Sequence, residues 1–170
     1  MLSERFGKML KYKEIRMRLI LASLAAAASV AAAATPALAN DARVEVRTGL
    51  GWTDGLPSKA TAGGALGYDM GMGPVVVGVE QSIDKVLASG SKARWGSSVR
   101  AGAKVTPGTL VYATAGYNYG VGPNATDIGG GVEHQFSMSP LYGKIEYKHF
   151  FNEDGARDSN AALFGVGLRF

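Results

Sequence analysis

The sequence predicts an all-β protein: an eight-stranded antiparallel up-and-down transmembrane β-barrel preceded by a cleavable signal peptide. Three observations predict it. The chain opens on a cationic, then apolar, then small-residue leader. Eight later segments alternate with a period of two, and all their charges lie on one face. The connections between those segments alternate between tight and long.

The leader comes first. Of 18 basic and 14 acidic residues, six basic (Arg5, Lys8, Lys11, Lys13, Arg16, Arg18) and two acidic (Glu4, Glu14) fall within residues 1–39. These account for the whole formal charge of +4, and residues 40–170 carry twelve of each sign. The basic isoelectric point therefore belongs to the leader and gives no support to nucleic-acid binding. An apolar stretch runs from residue 19 to residue 34. Ala37-Leu38-Ala39 then supplies the small residues that signal peptidase requires, so residues 1–39 read as a signal peptide cleaved before Asn40. Met17-Arg18 directly precedes Leu19-Ile20-Leu21 and makes a more economical start of translation than Met1. Cysteine is absent, which excludes disulfides, thiol catalysis and zinc–thiolate sites. Beyond the leader no apolar run reaches the ~20 residues of a membrane helix.

The alternating segments follow in order. Val44, Val46, Thr48, Leu50 and Trp52 share one face, and Arg43, Glu45 and Arg47 the other. A helix would mix these sets; a strand separates them. Leu66, Tyr68 and Met70 oppose Asp69; Val75, Val77, Val79 and Ile83 oppose Glu80. Trp95, Val99 and Val105 oppose Arg100 and Lys104. The fifth segment places Val111, Tyr117 and Tyr119 opposite Tyr112 and Thr114, a tyrosine on each face. Ile128, Val132 and Phe136 oppose Glu133; Leu141, Ile145, Tyr147 and His149 oppose Lys144, Glu146 and Lys148; Phe164, Val166, Leu168 and Phe170 oppose Arg169. Each segment approaches the ten-residue length of a tilted membrane strand. Residues 71–74, 106–109 and 139–140 read as tight turns, with Pro107-Gly108 in the type II pattern. Residues 53–59, 84–94, 120–127 and 152–160 read as longer polar loops.

Alternation alone fits a soluble sandwich as well as a membrane barrel. Three features favour the barrel: the export leader, a chain that ends on Phe170, and aromatic residues near both strand ends. Trp52, Trp95, Tyr117 and Tyr119 fall by the long loops, and Tyr68, Phe136 and Phe170 by the tight turns, as in the two aromatic girdles of such barrels. The apolar face then meets lipid. Arg43, Glu45, Arg47, Asp69, Glu80, Arg100, Lys104, Glu133, Lys144, Glu146, Lys148 and Arg169 face the lumen as a charge network, with glycines making room for them.

Ala65-Leu66-Gly67-Tyr68-Asp69, Gly131-Val132-Glu133-His134-Gln135-Phe136, Lys144-Ile145-Glu146-Tyr147-Lys148 and Gly165-Val166-Gly167-Leu168-Arg169-Phe170 follow one another in this chain. In order and spacing they resemble the small outer-membrane barrels of the OmpA, OmpX and opacity-protein type, across residues 40–170. The resemblance implies an outer-membrane location reached after export, and contact with lipid and lipopolysaccharide. It also implies delivery by the barrel-assembly machinery, for which Gly165, Leu168 and Phe170 fit the terminal sorting signal. Leu163 departs from that signal, standing where a polar residue is usual.

A structural or surface-interaction role is the expected function, as a monomer without enzymatic activity, cofactor, metal or nucleic-acid partner. Two alternatives stand beside it. A narrow small-solute pore would be lined by Arg100, Lys104, Glu133 and Glu146; seven basic against five acidic lumen groups would make it favour anions. A lipid A-modifying enzyme is the other, because His149-Phe150-Phe151-Asn152 resembles the His-x-Ser-Asn stretch of lipid A deacylases. Phe151 stands where their serine nucleophile stands, so that mechanism lacks its attacking group.

Overall fold

The computed structural model describes residues 39–120, 122–136 and 139–170. Apart from Ala39, the expected leader lies outside the described residues, and so do its cleavage and the start at Met17. Eight strands follow one another: β1 (Ala39–Trp52), β2 (Lys59–Met72), β3 (Val75–Val86), β4 (Ala93–Thr106), β5 (Thr109–Gly120), β6 (Ala125–Gln135), β7 (Leu141–Asn152) and β8 (Ser159–Arg169). Each pairs antiparallel with its neighbour in sequence, and β1 pairs with β8 to close the barrel. Closure leaves no free sheet edge, the condition a strand structure must meet in lipid.

The two faces separate as the period of two requires, with polarity inverted relative to a soluble protein. Val46 is 70% exposed, Ile145 66% and Leu66 63%, whereas Arg43 is 2% exposed and Lys144 2%. The outward residues meet across strands: Val111 faces Val132, Val132 faces Ile145, and Ile145 faces Phe164. This makes an apolar row across β5 to β8. Aromatic side chains collect at the two ends of the wall. Trp52 lies 6.2 Å from Tyr147, and Tyr117 stacks on Tyr119 at 6.5 Å, both toward the long loops. His134 meets Phe136 edge-on toward the tight turns. Inside, a small apolar cluster of Val76, Leu110 and Tyr112 sits toward the turn end.

The strands run further than alternation alone predicts. β6 begins at Ala125, before the Ile128 that opens its apolar pattern, and β3 continues to Val86. Ladder hydrogen bonds are made by the backbone, so polar residues at a barrel mouth stay in strand after the hydrophobic signal has ended. One turn differs from expectation. Gly108 lacks the positive φ that a type II turn demands. The β4–β5 connection instead takes up a register shift between Lys104 and Thr106. The β2–β3 turn has Gly73 at φ 64° followed by Pro74, the glycine-first arrangement of a type II′ hairpin.

Candidate functional site

Inward-facing charges from seven of the strands interlock through the lumen. Two carboxylates each hold three cations. Glu80 on β3 pairs with Arg43 at 2.8 Å, Arg47 at 2.9 Å and Lys144 at 3.4 Å. Asp69 on β2 pairs with Arg43 at 3.2 Å, with Arg169 at 3.6 Å and with Arg100. Arg43 therefore joins the two groups. From Glu80 the network runs toward the loops through Lys144, which reaches Glu45 at 3.0 Å and Glu146 at 3.6 Å. Lys148 continues it, lying 3.9 Å from Glu146 and 3.0 Å from Asp127. From Asp69 it runs toward the turns through Arg100, which reaches Glu133 at 2.7 Å, and Arg169, which reaches Glu133 and, at 3.3 Å, Asp41.

Neutral donors fill remaining acceptor positions. Tyr112 donates to Glu146 at 2.6 Å, Tyr142 to Glu45 at 3.0 Å, and the Asn118 amide to Asp127 at 2.5 Å. Ions out of water are costly unless paired and hydrogen-bonded, and this lumen meets the cost by shared partners. Room for the long side chains comes from glycines on the inner wall. A Cβ on Gly78 would overlap the Asp69 carboxylate, and one on Gly67 the Arg43 guanidinium.

Eleven of the twelve lumen charges read from the sequence take part in this network. Lys104 does not. It sits exposed at the turn-side rim beside the β4–β5 register shift, without a carboxylate partner among the described residues. Asp127, 1% exposed, belongs to the lumen although its position before Ile128 reads as loop. With Lys104 out and Asp127 in, the buried network among the described residues holds six groups of each sign. Asp41 and Asp84 add carboxylates toward its two ends. The basic excess expected from sequence is absent, and with it the ground for an anion preference.

Of the terminal-signal residues, Leu168 and Phe170 face outward at 40% and 70% exposure. Gly165 faces inward beside Glu45, and Leu163 is buried on the inner face. The stretch resembling a deacylase site places His149 on the outer face, where its Nδ1 meets the Asn160 side chain at 2.8 Å and its ring packs on Phe151. Ser159 faces the inner side, its hydroxyl accepting from the Asn152 amide at 3.1 Å. The barrel wall thus stands between that imidazole and that hydroxyl. Among the described residues no group of three or more histidine or carboxylate side chains is arranged to hold a metal ion.

The loop-side end of the lumen widens into a cavity of about 340 Å³. Its floor includes Arg47, Asp84, Asn118 and Lys148, and its walls include Leu56 and Phe150. Cross-loop bonds hold the rim: Arg94 donates to the Pro123 carbonyl at 2.9 Å, and the Glu153 N–H to the Asn124 carbonyl at 2.8 Å.

Solved structures share this architecture. The N-terminal β-barrel domain of Pseudomonas aeruginosa OprF matches with a TM-score of 0.57 at 17% identity, over 75% of this chain and 97% of that one. Neisserial surface protein A matches with a TM-score of 0.50 at 10% identity, over 77% and 97%. Ail, the attachment invasion locus protein of Yersinia pestis, matches with a TM-score of 0.50 at 15% identity, also over 77% and 97%. No family model matches the chain, and no curated protein matches it at a significant level. At these identities the likeness is one of fold. The chain has the fold of the small eight-stranded outer-membrane β-barrels, the type its sequence resembles.

Proposed function

We propose that this chain is an integral protein of a bacterial outer membrane with a structural or surface-interaction role. Its barrel is a rigid plug that displays four loops to the outside. One observation carries the reading: an apolar wall encloses a lumen crossed from end to end by a single ion-pair network. An eight-stranded barrel is only wide enough for side chains to fill, and here charged side chains bridge it. Lipid and lipopolysaccharide are the partners suited to the outer face, reached after export and insertion by the barrel-assembly machinery. Closure of β1 on β8 leaves no edge for another chain to extend, which supports a monomer. The separation of His149 from Ser159, together with Phe151 at the nucleophile position, supports a non-enzymatic role.

Planar-bilayer recording tests this directly. The reconstituted barrel should be silent or give small, flickering steps without anion preference, since the network is balanced. A steady, large conductance would replace this reading with a pore.

A further inference from the structure

The outer mouth of the lumen is lined unevenly. Five inward or loop-borne cationic residues line the loop-side cavity, against one carboxylate, Asp84. The two deepest cations are already engaged: Arg47 by Glu80 and Asp84, Lys148 by Asp127 and Glu146. The other three, Lys59, Lys92 and Arg94, have no carboxylate within ion-pair distance among the described residues. Asp84 is held by Arg47 through two hydrogen bonds, and of the three only Arg94 feels it and Asp127, at longer range. A cluster of one sign in a concave, partly apolar site focuses potential and raises the local concentration of counter-ions.

Between these cations the cavity wall is apolar. Leu56 is 58% exposed on the β1–β2 loop, while Phe150 and Leu163 project from the inner faces of β7 and β8. Exposed leucine above a buried ionic lumen has no part in holding the barrel closed. The Leu56 loop is also pinned in place, by the Leu56 N–H to the Thr53 carbonyl at 3.0 Å and by Arg157 to the Asp54 carbonyl. A volume of about 340 Å³ lies within the ~300–1,000 Å³ range of small-molecule sites.

We propose that this mouth binds an anionic amphiphile from the aqueous side: a monomer with one short apolar chain and a phosphate or carboxylate head group. The head lies among Lys59, Lys92 and Arg94. The chain covers Leu56, Phe150 and Leu163. A free inorganic anion would satisfy the cations and leave the apolar wall wet; a cationic amphiphile would meet the wrong charge.

The test uses the mature barrel in zwitterionic phosphatidylcholine nanodiscs, with octyl phosphate below its micellar concentration as probe. Calorimetry is read against empty nanodiscs. The expected result is saturable binding with one site per barrel, inorganic phosphate weaker by about tenfold or more, and no site for octyltrimethylammonium. Lys92→Glu lies in a loop outside the strands and leaves the ladder untouched. Combined with Lys59→Glu it should weaken octyl phosphate by about tenfold or more. Leu56→Ser should weaken octyl phosphate and leave inorganic phosphate unchanged. Binding equal to that of empty nanodiscs overturns the proposal, as does equal affinity for octyltrimethylammonium. Equal affinity for octyl and inorganic phosphate overturns the apolar half, and an unchanged Lys59→Glu/Lys92→Glu variant overturns the head-group half.

Discussion

Arg100→Met removes the most heavily used cation in the turn-side half of the lumen. Arg100 donates to Asp69 from Nε at 2.9 Å and from a second guanidinium nitrogen, and to Glu133 at 2.7 Å. It is 4% exposed, and its guanidinium lies over the Tyr112 ring at 5.0 Å. Breaking a buried ion pair by deleting one partner costs about 3–5 kcal/mol. Neither carboxylate is orphaned here: Asp69 keeps Arg43 and Arg169, and Glu133 keeps Arg169. The loss therefore belongs at the lower end, about 3 kcal/mol. Adding Glu133→Gln should return much of it by removing the surplus negative charge. Arg100→Lys should fall between, because an ammonium cannot reproduce the two-pronged contact with Asp69. Urea unfolding in lipid vesicles, followed by tryptophan fluorescence, reads all three. A loss for Arg100→Met within about 0.5 kcal/mol, the range of inconsequential surface changes, would refute the view that these pairs are dry and stabilising.

Three further outcomes are expected. Val79→Arg or Val132→Arg places a charge against lipid near mid-strand and should cost about 2–4 kcal/mol, read as weakened folding into vesicles; wild-type folding would reverse the assignment of faces. Gly78→Ser faces the lumen, yet its side chain would collide with the Asp69 carboxylate, so it should fold poorly. Gly51→Ala, whose Cβ would sit 3.7 Å from its nearest neighbours, should match wild type in the same assay. Edman sequencing of outer-membrane material should start at Asn40; an intact leader there would contradict the export argument.

Much of this fold is legible because membrane strands are written in the plainest code a chain has. Alternation placed Val44, Leu66, Val99, Val132 and Phe164 outside and Arg43, Glu80 and Lys144 inside without reference to any partner. The errors fall where alternation ends. Asp127 is hidden because a strand tip at the mouth carries the same polar residues as a loop. Lys104 keeps the alternation of an inward residue, but it lies at the rim beside a register shift, where its side chain reaches water. The cavity was not legible at all. Leu56, Phe150 and Leu163 come from three elements, and only barrel closure and loop packing bring them beside Lys59 and Arg94. Cross-lumen pairing is hidden for a related reason: ladder register fixes neighbours on the wall, whereas Lys144 of β7 and Glu80 of β3 meet across the lumen.

The sequence distance between paired groups bears on the order in which the barrel forms. Tyr142 and Glu45 are 97 residues apart, and Arg169 and Asp41 are 128 apart. Hairpins such as β2–β3 can zip locally, but those contacts need the last strands laid against the first. Arg43, Arg47 and Arg100 find Asp69, Glu80 and Asp84 within the first four strands, so that half of the network can pair before closure. Glu45 and Asp41 on β1 meet their cations, Lys144 and Arg169, only when the last strands arrive at the closing seam. Contacts with such long loop-closure distances slow assembly and make the final step cooperative.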